Sequence, residues 1–167
     1  MSELVARTGR HQQRYEAGRR LVAGCIPFKY TTCVDDVDVD VDVDVSSKKV
    51  VQVLMISSTS GPGLLFPKGG WENDETVEEA ALREALEEAG VRGDIMSEGL
   101  CKAAMYALLV KEELDSWPEQ STRQRSWLTI PEAVESCRHP WMREALEEGF
   151  LKWHEDHMIT TSENSSD

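Results

Sequence analysis

GGWENDETVEEAALREALEEAGV, from Gly69 to Val91, reads as an amphipathic helix that gathers acid on one side. Glu84, Glu87 and Glu88 fall at i, i+3 and i+4, which on a helix places three carboxylates on one face. Like charges that close repel, so the arrangement calls for a cation above them. A hard divalent ion suits carboxylate oxygens: Mg²⁺, with Mn²⁺ as an acceptable substitute. Asn73 or Asp74 is expected to cap the start. Glu75, Glu78 and Glu79 crowd the first turns, where the helix dipole favours negative charge. Gly90 stands where a C′ glycine ends a helix. Leu82, Ala85, Leu86 and Ala89 cluster opposite the three glutamates and are expected to face the core. Arg83, beside Glu79 and Glu87, is placed to orient a ligand carboxylate through a charge-assisted hydrogen bond. Glu78 and Glu79 read as a solvated face.

The chain around this helix has 167 residues and a net charge of −13. That length predicts one domain with a single core. The charge excludes a general nucleic-acid binder. It is unevenly spread, because Asp35, Asp36, Asp38, Asp40, Asp42 and Asp44 lie in one short segment. No apolar run approaches the ~18 residues of a membrane span, and no secretory apolar region is visible. Neither nucleic acid nor membrane is therefore expected as a partner, and a monomer is expected. Cys25, Cys33, Cys101 and Cys137 lack CxxC spacing and read as reduced thiols of an intracellular protein. His154 and His157 form an HxxH without a third ligand nearby, which reads as a solvated helix end rather than a zinc site. The N-terminus holds Arg7, Arg10, Arg14, Arg19 and Arg20 against only Glu3 and Glu16. That is a weak transit-peptide pattern; cytosol is the first expectation, with the mitochondrion as the alternative.

Residues 1–18 are expected to form a mobile arm, 19–157 the folded domain and 158–167 a disordered tail. Leu21 to Phe28 reads as a buried strand, with Pro27 near its end where a missing N–H is tolerated. Within 34–47, strict Val-Asp alternation would give a strand one face of self-repelling aspartates, so the segment is expected to be a low-complexity loop or at most an edge hairpin arm. It lacks the sixth-position glycine and terminal glutamate of a calcium loop. Val50 to Ser57, Ala103 to Val110 and Arg123 to Thr129 are strand candidates, with a short extended piece at Leu64 to Pro67. Thr129-Ile130-Pro131-Glu132 is a capping box. Trp141 to about His154 is an amphipathic helix with Met142, Ala145, Leu146, Phe150 and Trp153 inward. Strands and helices in this order suggest an α+β fold, or an αβα sandwich on a mixed sheet.

Gly69, Glu75, Arg83, Glu84, Ala85, Glu87, Glu88, Gly90 and Val91 fill every fixed position of the Nudix box, with Ala85 small for its aliphatic slot. The chain thus resembles the Nudix hydrolases. The resemblance implies the αβα sandwich, Mg²⁺ held by Glu84, Glu87 and Glu88, catalysis by these glutamates, and Glu75 and Arg83 as orienting residues. The implied reaction is attack of water on phosphorus, breaking a P–O–P link. The general base is left open between a box glutamate and one outside it, such as Glu112 or Glu113. Ahead of the box, Phe66-Pro67-Lys68-Gly69-Gly70-Trp71 supplies glycines that let backbone amides approach a phosphate, and a lysine as a point charge.

FPKGGWENDETVEEAALREALEEAGV, KEELDSWPEQSTRQRSWL and PWMREALEE together are similar to the plant branch of the diphosphoinositol polyphosphate phosphohydrolase group, over about Ala6 to Glu148. That resemblance implies a small-molecule polyphosphate partner: an inositol pyrophosphate or a diadenosine polyphosphate. The implied substrate-binding residues are Arg20, Lys68, Gly69, Gly70, Arg123 and Arg125. One departure stands out. Roughly twenty family residues are missing between Gly93 and the LCKAAMYALLV run, as an exon-skipped form would show. Asp94 to Leu100 shows no strand to replace them, so the fold is expected to be short of one strand and loop. A lost strand exposes an edge and removes one pocket wall, so metal binding is expected to survive while turnover is weakened.

Overall fold

The computed structural model describes residues 15–16, 19–20, 22–32, 49–97 and 104–156. The aspartate-rich 34–47 segment, the 158–167 tail and the first fourteen residues of the expected arm lie outside them. Two short strands, β1 (Tyr15–Glu16) and β2 (Arg19–Arg20), pair antiparallel. The main sheet is built from β3 (Val22–Thr32), β4 (Lys49–Ser57), β5 (Leu64–Leu65), β6 (Lys68–Gly70), β7 (Val91–Ile95), β8 (Met105–Glu113) and β9 (Arg125–Thr129). Its order is β5-β4-β3-β8-β7, with β6 added to β3 and β9 to β4. β3 and β8 run parallel, with Cys25 opposite Tyr106, and the remaining pairs are antiparallel. The sheet is therefore mixed, and the apolar run expected to be central does lie between two neighbours.

Alternation sends side chains of each strand to opposite faces, and both faces are covered. On one, Ile26, Phe28, Val53, Met55, Met105 and Ala107 pack against α2 (Ile130–Ser136) and the C-terminal helix. That helix opens as α3 (Pro140–Glu144), passes through a π-helical stretch at Ala145–Phe150 and continues over 151–156. Met142, Ala145, Leu146 and Phe150 are buried, as their spacing predicts, and Trp153 packs beside them. Thr129 and Glu132 form the expected capping box. On the other face, Ala23, Cys25, Leu54, Ile56, Tyr106 and Leu108 meet Ala80, Ala81, Ala85 and Ala89 of the box helix. The result is the α+β, αβα arrangement.

The box helix comprises α1 (Val77–Glu84) and a π-helical turn, Ala85–Ala89, closed by Gly90 at φ 66°. Gly90 is the expected left-handed cap, and a side chain there would strike the Trp117 ring. The N-cap differs from expectation. Thr76, not Asn73 or Asp74, caps the helix, with Glu79 completing the capping box. Residues 72–75 form a turn instead, in which the Glu72 amide donates to Glu75 Oε1 at 3.0 Å. This turn carries the Glu75 carboxylate to Arg83, so the helix starts two or three residues later than expected. Thr76→Ala should destabilise the protein by about 1 kcal/mol in chemical denaturation, and Asn73→Ala by clearly less; equal losses would refute this cap.

The inward face also differs. Leu82 is exposed, whereas Ala80, Ala81, Ala85 and Ala89 are buried together with all three glutamates. Core face and acid face are neighbours rather than opposites. Alanines let the helix lie close on the sheet, which a leucine row would prevent, and this rotates the glutamates inward. The third difference concerns Asp94 to Leu100. Asp94 and Ile95 belong to β7, paired antiparallel with Leu109 and Leu108, so a strand does follow the box helix. Its signal is weak because only Val91, Gly93 and Ile95 alternate inward and a bulge lies between Arg92 and Gly93. Residues 98–103 of the short joint lie outside the described ones.

Candidate active site

Arg83 occupies the centre of the acid face. Its Nε donates to Glu75 Oε2 at 3.0 Å and its Nη2 to Glu75 Oε1 at 2.7 Å, a bidentate pair. Nη2 also donates to the Gly70 carbonyl at 2.8 Å. Nη1 donates to Glu84 Oε2 at 2.9 Å and to Glu87 Oε1 at 3.4 Å. Glu72 Oε2 lies 3.9 Å away. Glu79 is not among these partners, since its carboxylate accepts from the Thr76 amide. Burial works against the guanidinium's charge, but its hydrogen bonding to Glu75 and the fields of Glu84, Glu75 and Glu87 outweigh it and raise its pKa. Sequence spacing anticipates one oriented carboxylate; the fold gives Arg83 a ring of them.

Glu84 and Glu88 lie at the strand side of this ring. Gly69 sits on β6 directly against the Glu84 carboxylate, and any side chain at that position would collide with it. That contact is the physical reason for glycine here. The Lys68 amide donates to Glu88 Oε1 at 3.0 Å. Glu84 and Glu87 are 6% exposed and Glu88 9%. Burial, then repulsion from Glu88, pushes the Glu84 carboxyl up to about 8. Burial likewise pushes Glu88 up to about 7, although the Lys68 amide, Arg123 and the Lys68 charge oppose the rise. Two buried acids are thus short of positive charge, Glu84 even with Arg83 beside it and Glu88 even with Arg123 near it.

A divalent cation fits that shortage in its chemistry: hard carboxylate oxygens, excess negative charge and a glycine that leaves the carboxylate room. Among the described residues no three acidic, histidine or cysteine side chains stand as a ready ligand set. Arg83 already engages Glu84 and Glu87. Glu84, Glu87 and Glu88 would hold the ion. The raised pKa values carry a sign. A carboxyl whose folded pKa exceeds its ordinary 4.5 stabilises the fold below that value and loses the contribution as pH rises through the folded pKa, here about 7 and about 8. In chelator, the melting temperature should fall across that window, and Mg²⁺ should diminish the fall because it replaces the protons. A melting temperature that rises across the window in chelator would refute it.

The basic residues divide. Arg123 lies beside the acid site: Nη2 is 3.5 Å from Glu88 Oε2, Nε donates to Glu119 Oε1 at 3.1 Å, and Nη1 donates to the Ser57 carbonyl at 2.9 Å. Arg125 is occupied otherwise. It donates to the carbonyls of Ala89, Gly90 and Leu114 at 3.0, 3.1 and 2.8 Å and stacks on Trp117 with 4.1 Å to the ring centroid. It therefore secures the C-terminal end of the box helix rather than pointing a free fork at a ligand. Arg20 is placed only by its backbone, in β2. Gly70 contributes its carbonyl to Arg83. Glu112 and Glu113 stand apart on β8: Glu112 is 3.6 Å from Arg92, and Glu113 pairs with Lys29 at 3.7 Å and accepts from Trp127 Nε1 at 3.0 Å.

Three residues of this site escape sequence reasoning. Glu72 is 4% exposed and faces Arg83; its only signal was a place inside the box. Glu119 reaches Arg123, and its amide donates to the Glu87 carbonyl at 3.0 Å. Trp117 Nε1 donates to the Glu88 carbonyl at 3.1 Å. Both lie on a loop about thirty residues downstream, where no spacing rule reaches. Cys25 and Cys137 are free thiols; burial pushes Cys137 up to about 11 and raises Cys25 further. Cys33, Cys101 and His157 lie outside the described residues. His154 ends on an aromatic cluster, stacked on Phe150 and 2.9 Å from the Tyr30 hydroxyl.

The family model of the NUDIX domain matches residues 39–149. Nudix hydrolase 16, mitochondrial, of Arabidopsis thaliana is 64% identical over 181 positions, covering 98% of this chain and 97% of that one. Those positions exceed this chain's 167 residues by 14, so that many or more are gaps on this side. Diphosphoinositol polyphosphate phosphohydrolase 3-alpha of Mus musculus is 31% identical over 115 residues, covering 60% of this chain and 70% of that one. A solved C. elegans Ap4A hydrolase binary complex shares the fold at TM-score 0.54 and 17% identity, covering 82% of this chain and 98% of that one. With the box residues Glu75, Glu84 and Glu87 gathered on Arg83 and the family model spanning most of the chain, the protein belongs to the Nudix hydrolases, which act on phosphoric anhydrides.

Proposed function

We propose that this chain is a Mg²⁺-dependent pyrophosphohydrolase, accepting Mn²⁺, that cleaves P–O–P linkages of diphosphoinositol polyphosphates, diadenosine polyphosphates or both. The observation that carries the reading is the buried Glu84–Glu88 pair, short of positive charge and flanked by Lys68 and Arg123. The mouse relative's name supports the inositol substrate. Bound Mg²⁺ would neutralise phosphate oxygens and acidify water. Glu84, Glu87 and Glu88 would hold the ion, while Glu75 and Arg83 fix the box. Lys68 and Arg123 supply positive charge where the transition state accumulates negative charge. Arg20, Gly69 and Gly70 complete the substrate-binding set, and Arg125 acts by positioning the helix end. Water attacks phosphorus, its proton passes to a glutamate, and the bridging oxygen leaves with the other phosphate.

The working unit is a monomer with a small-molecule polyphosphate as its partner. The Arabidopsis relative's name favours the mitochondrion over the cytosol. No helix among the described residues is long and apolar enough to cross a membrane.

The test is incubation with a diphosphoinositol pentakisphosphate and with diadenosine hexaphosphate, each with and without Mg²⁺. Release of phosphate or nucleotide only with Mg²⁺ is expected. A second reading, a polyphosphate-binding or regulatory module with weak turnover, is favoured by the gaps against the Arabidopsis relative. Binding without turnover would select it.

A further inference from the structure

Arg123 is shared between two carboxylates of different standing. Glu88 belongs to the box. Glu119 sits on the loop after β8, with its side chain 28% exposed. The contact to Glu88 is the looser, at 3.5 Å, and that to Glu119 the tighter, at 3.1 Å. Glu88 Oε1 is already engaged by the Lys68 amide, which leaves Oε2, the atom facing Arg123, as the oxygen most available to a cation. A divalent ion and a guanidinium cannot both hold that oxygen without repelling each other. Arg123 nevertheless has somewhere to go. The Ser57 carbonyl and Glu119 together retain it when Glu88 is withdrawn, and the whole Nη2 edge is then free.

On these grounds we propose that Glu119 is a positioning residue that draws Arg123 off Glu88 when the divalent ion loads, and turns the freed Nη2 edge toward the polyphosphate. This deepens the proposed function and rests on its metal assignment. Glu119 touches no reacting atom. It acts through Arg123, and its own amide, bonded to the Glu87 carbonyl, holds the loop against the box helix. Without Glu119, Arg123 has Glu88 as its sole carboxylate among the described residues and competes with the ion for it.

The test reads metal binding rather than turnover. Mn²⁺ is titrated into the full chain, with free Mn²⁺ followed by electron paramagnetic resonance. Glu119→Gln should weaken Mn²⁺ binding by about fivefold, while Arg123→Met should leave it unchanged or tighten it. The double variant discriminates. If Glu119 acts through Arg123, adding Glu119→Gln to Arg123→Met changes nothing. If it acts only by its charge, the same fivefold loss recurs and the inference is overturned. Should Arg123→Met not fold, Arg123→Gln takes its place. In steady-state assays Glu119→Gln should raise KM for the polyphosphate more than it lowers kcat, and Glu119→Asp should restore part of the difference; an effect on kcat alone overturns the positioning role. Failure of the unaltered protein to bind Mn²⁺ would overturn the metal assignment and this inference with it. Mn²⁺ binding with an additive double variant would overturn only the latter.

Discussion

Glu87→Gln should lower Mg²⁺-dependent hydrolysis by about 100-fold or more while leaving the fold intact. The side chain is 6% exposed and nearly isosteric with its replacement. Its contact to Arg83 is the longest of the hydrogen bonds that guanidinium makes, at 3.4 Å, and its backbone carbonyl keeps the bond to the Glu119 amide. Removing one negative charge from a crowded group relieves repulsion, so the metal-free protein should melt no lower than the parent. A divalent cation, by contrast, loses a charged oxygen for a neutral one. The two readouts must part: activity lost, stability kept. Unchanged Mg²⁺-dependent turnover in the purified variant would sink the assignment of Glu87 to the ion.

Arg83→Met should have the opposite profile in chelator: a loss of about 3–5 kcal/mol of stability, because breaking a buried ion network strands its other members. Glu75, Glu84 and Glu87 would each lose a partner in an interior where all three are at most 9% exposed. Mg²⁺ should recover part of the loss, since it supplies the missing positive charge to the same carboxylates. Urea unfolding with and without Mg²⁺ measures both. Arg143 is the control. Its pair with Glu147, at 3.4 Å, leaves the two side chains 58% and 41% exposed, and Arg143→Ala should cost no more than about 0.5 kcal/mol. Equal losses at the two arginines would refute the central role of Arg83.

Much of this was legible in the chain. The i, i+3, i+4 glutamates, the stop at Gly90, the Thr129–Glu132 capping box and the inner stripe of the C-terminal helix are local patterns, and local patterns survive folding when packing agrees with them. The misses share a cause. Asn73 and Asp74 are good caps in isolation, but the turn that brings Glu75 to Arg83 takes them away from the helix. Leu82 is the more hydrophobic choice for the core, but only alanines let the helix lie close on β3. Arg123 and Arg125 look alike two residues apart in the chain, but β9 begins only at Arg125 and leaves Arg123 on the loop before it. One meets the carbonyls ending a helix, the other a carboxylate within it, and no spacing rule separates them. Val91–Ile95 escaped as a strand because a glycine and a bulge blur its alternation.

By itself, then, the sequence determined two things: helical spacing put three carboxylates in one register and so called for a cation, and the match of the glycine, the arginine and the glutamates to the Nudix box implied the reaction class. Tertiary structure decided what surrounds them. It rotated the acid face inward, set Arg83 at its centre, and brought Trp117, Glu119 and Arg123 to the helix end from a loop far along the chain. Those contacts depend on how a sheet of mixed direction places distant segments side by side, and burial then turns proximity into raised pKa values and a shortage of positive charge. The register of one helix is local; the charge balance above it belongs to the whole fold.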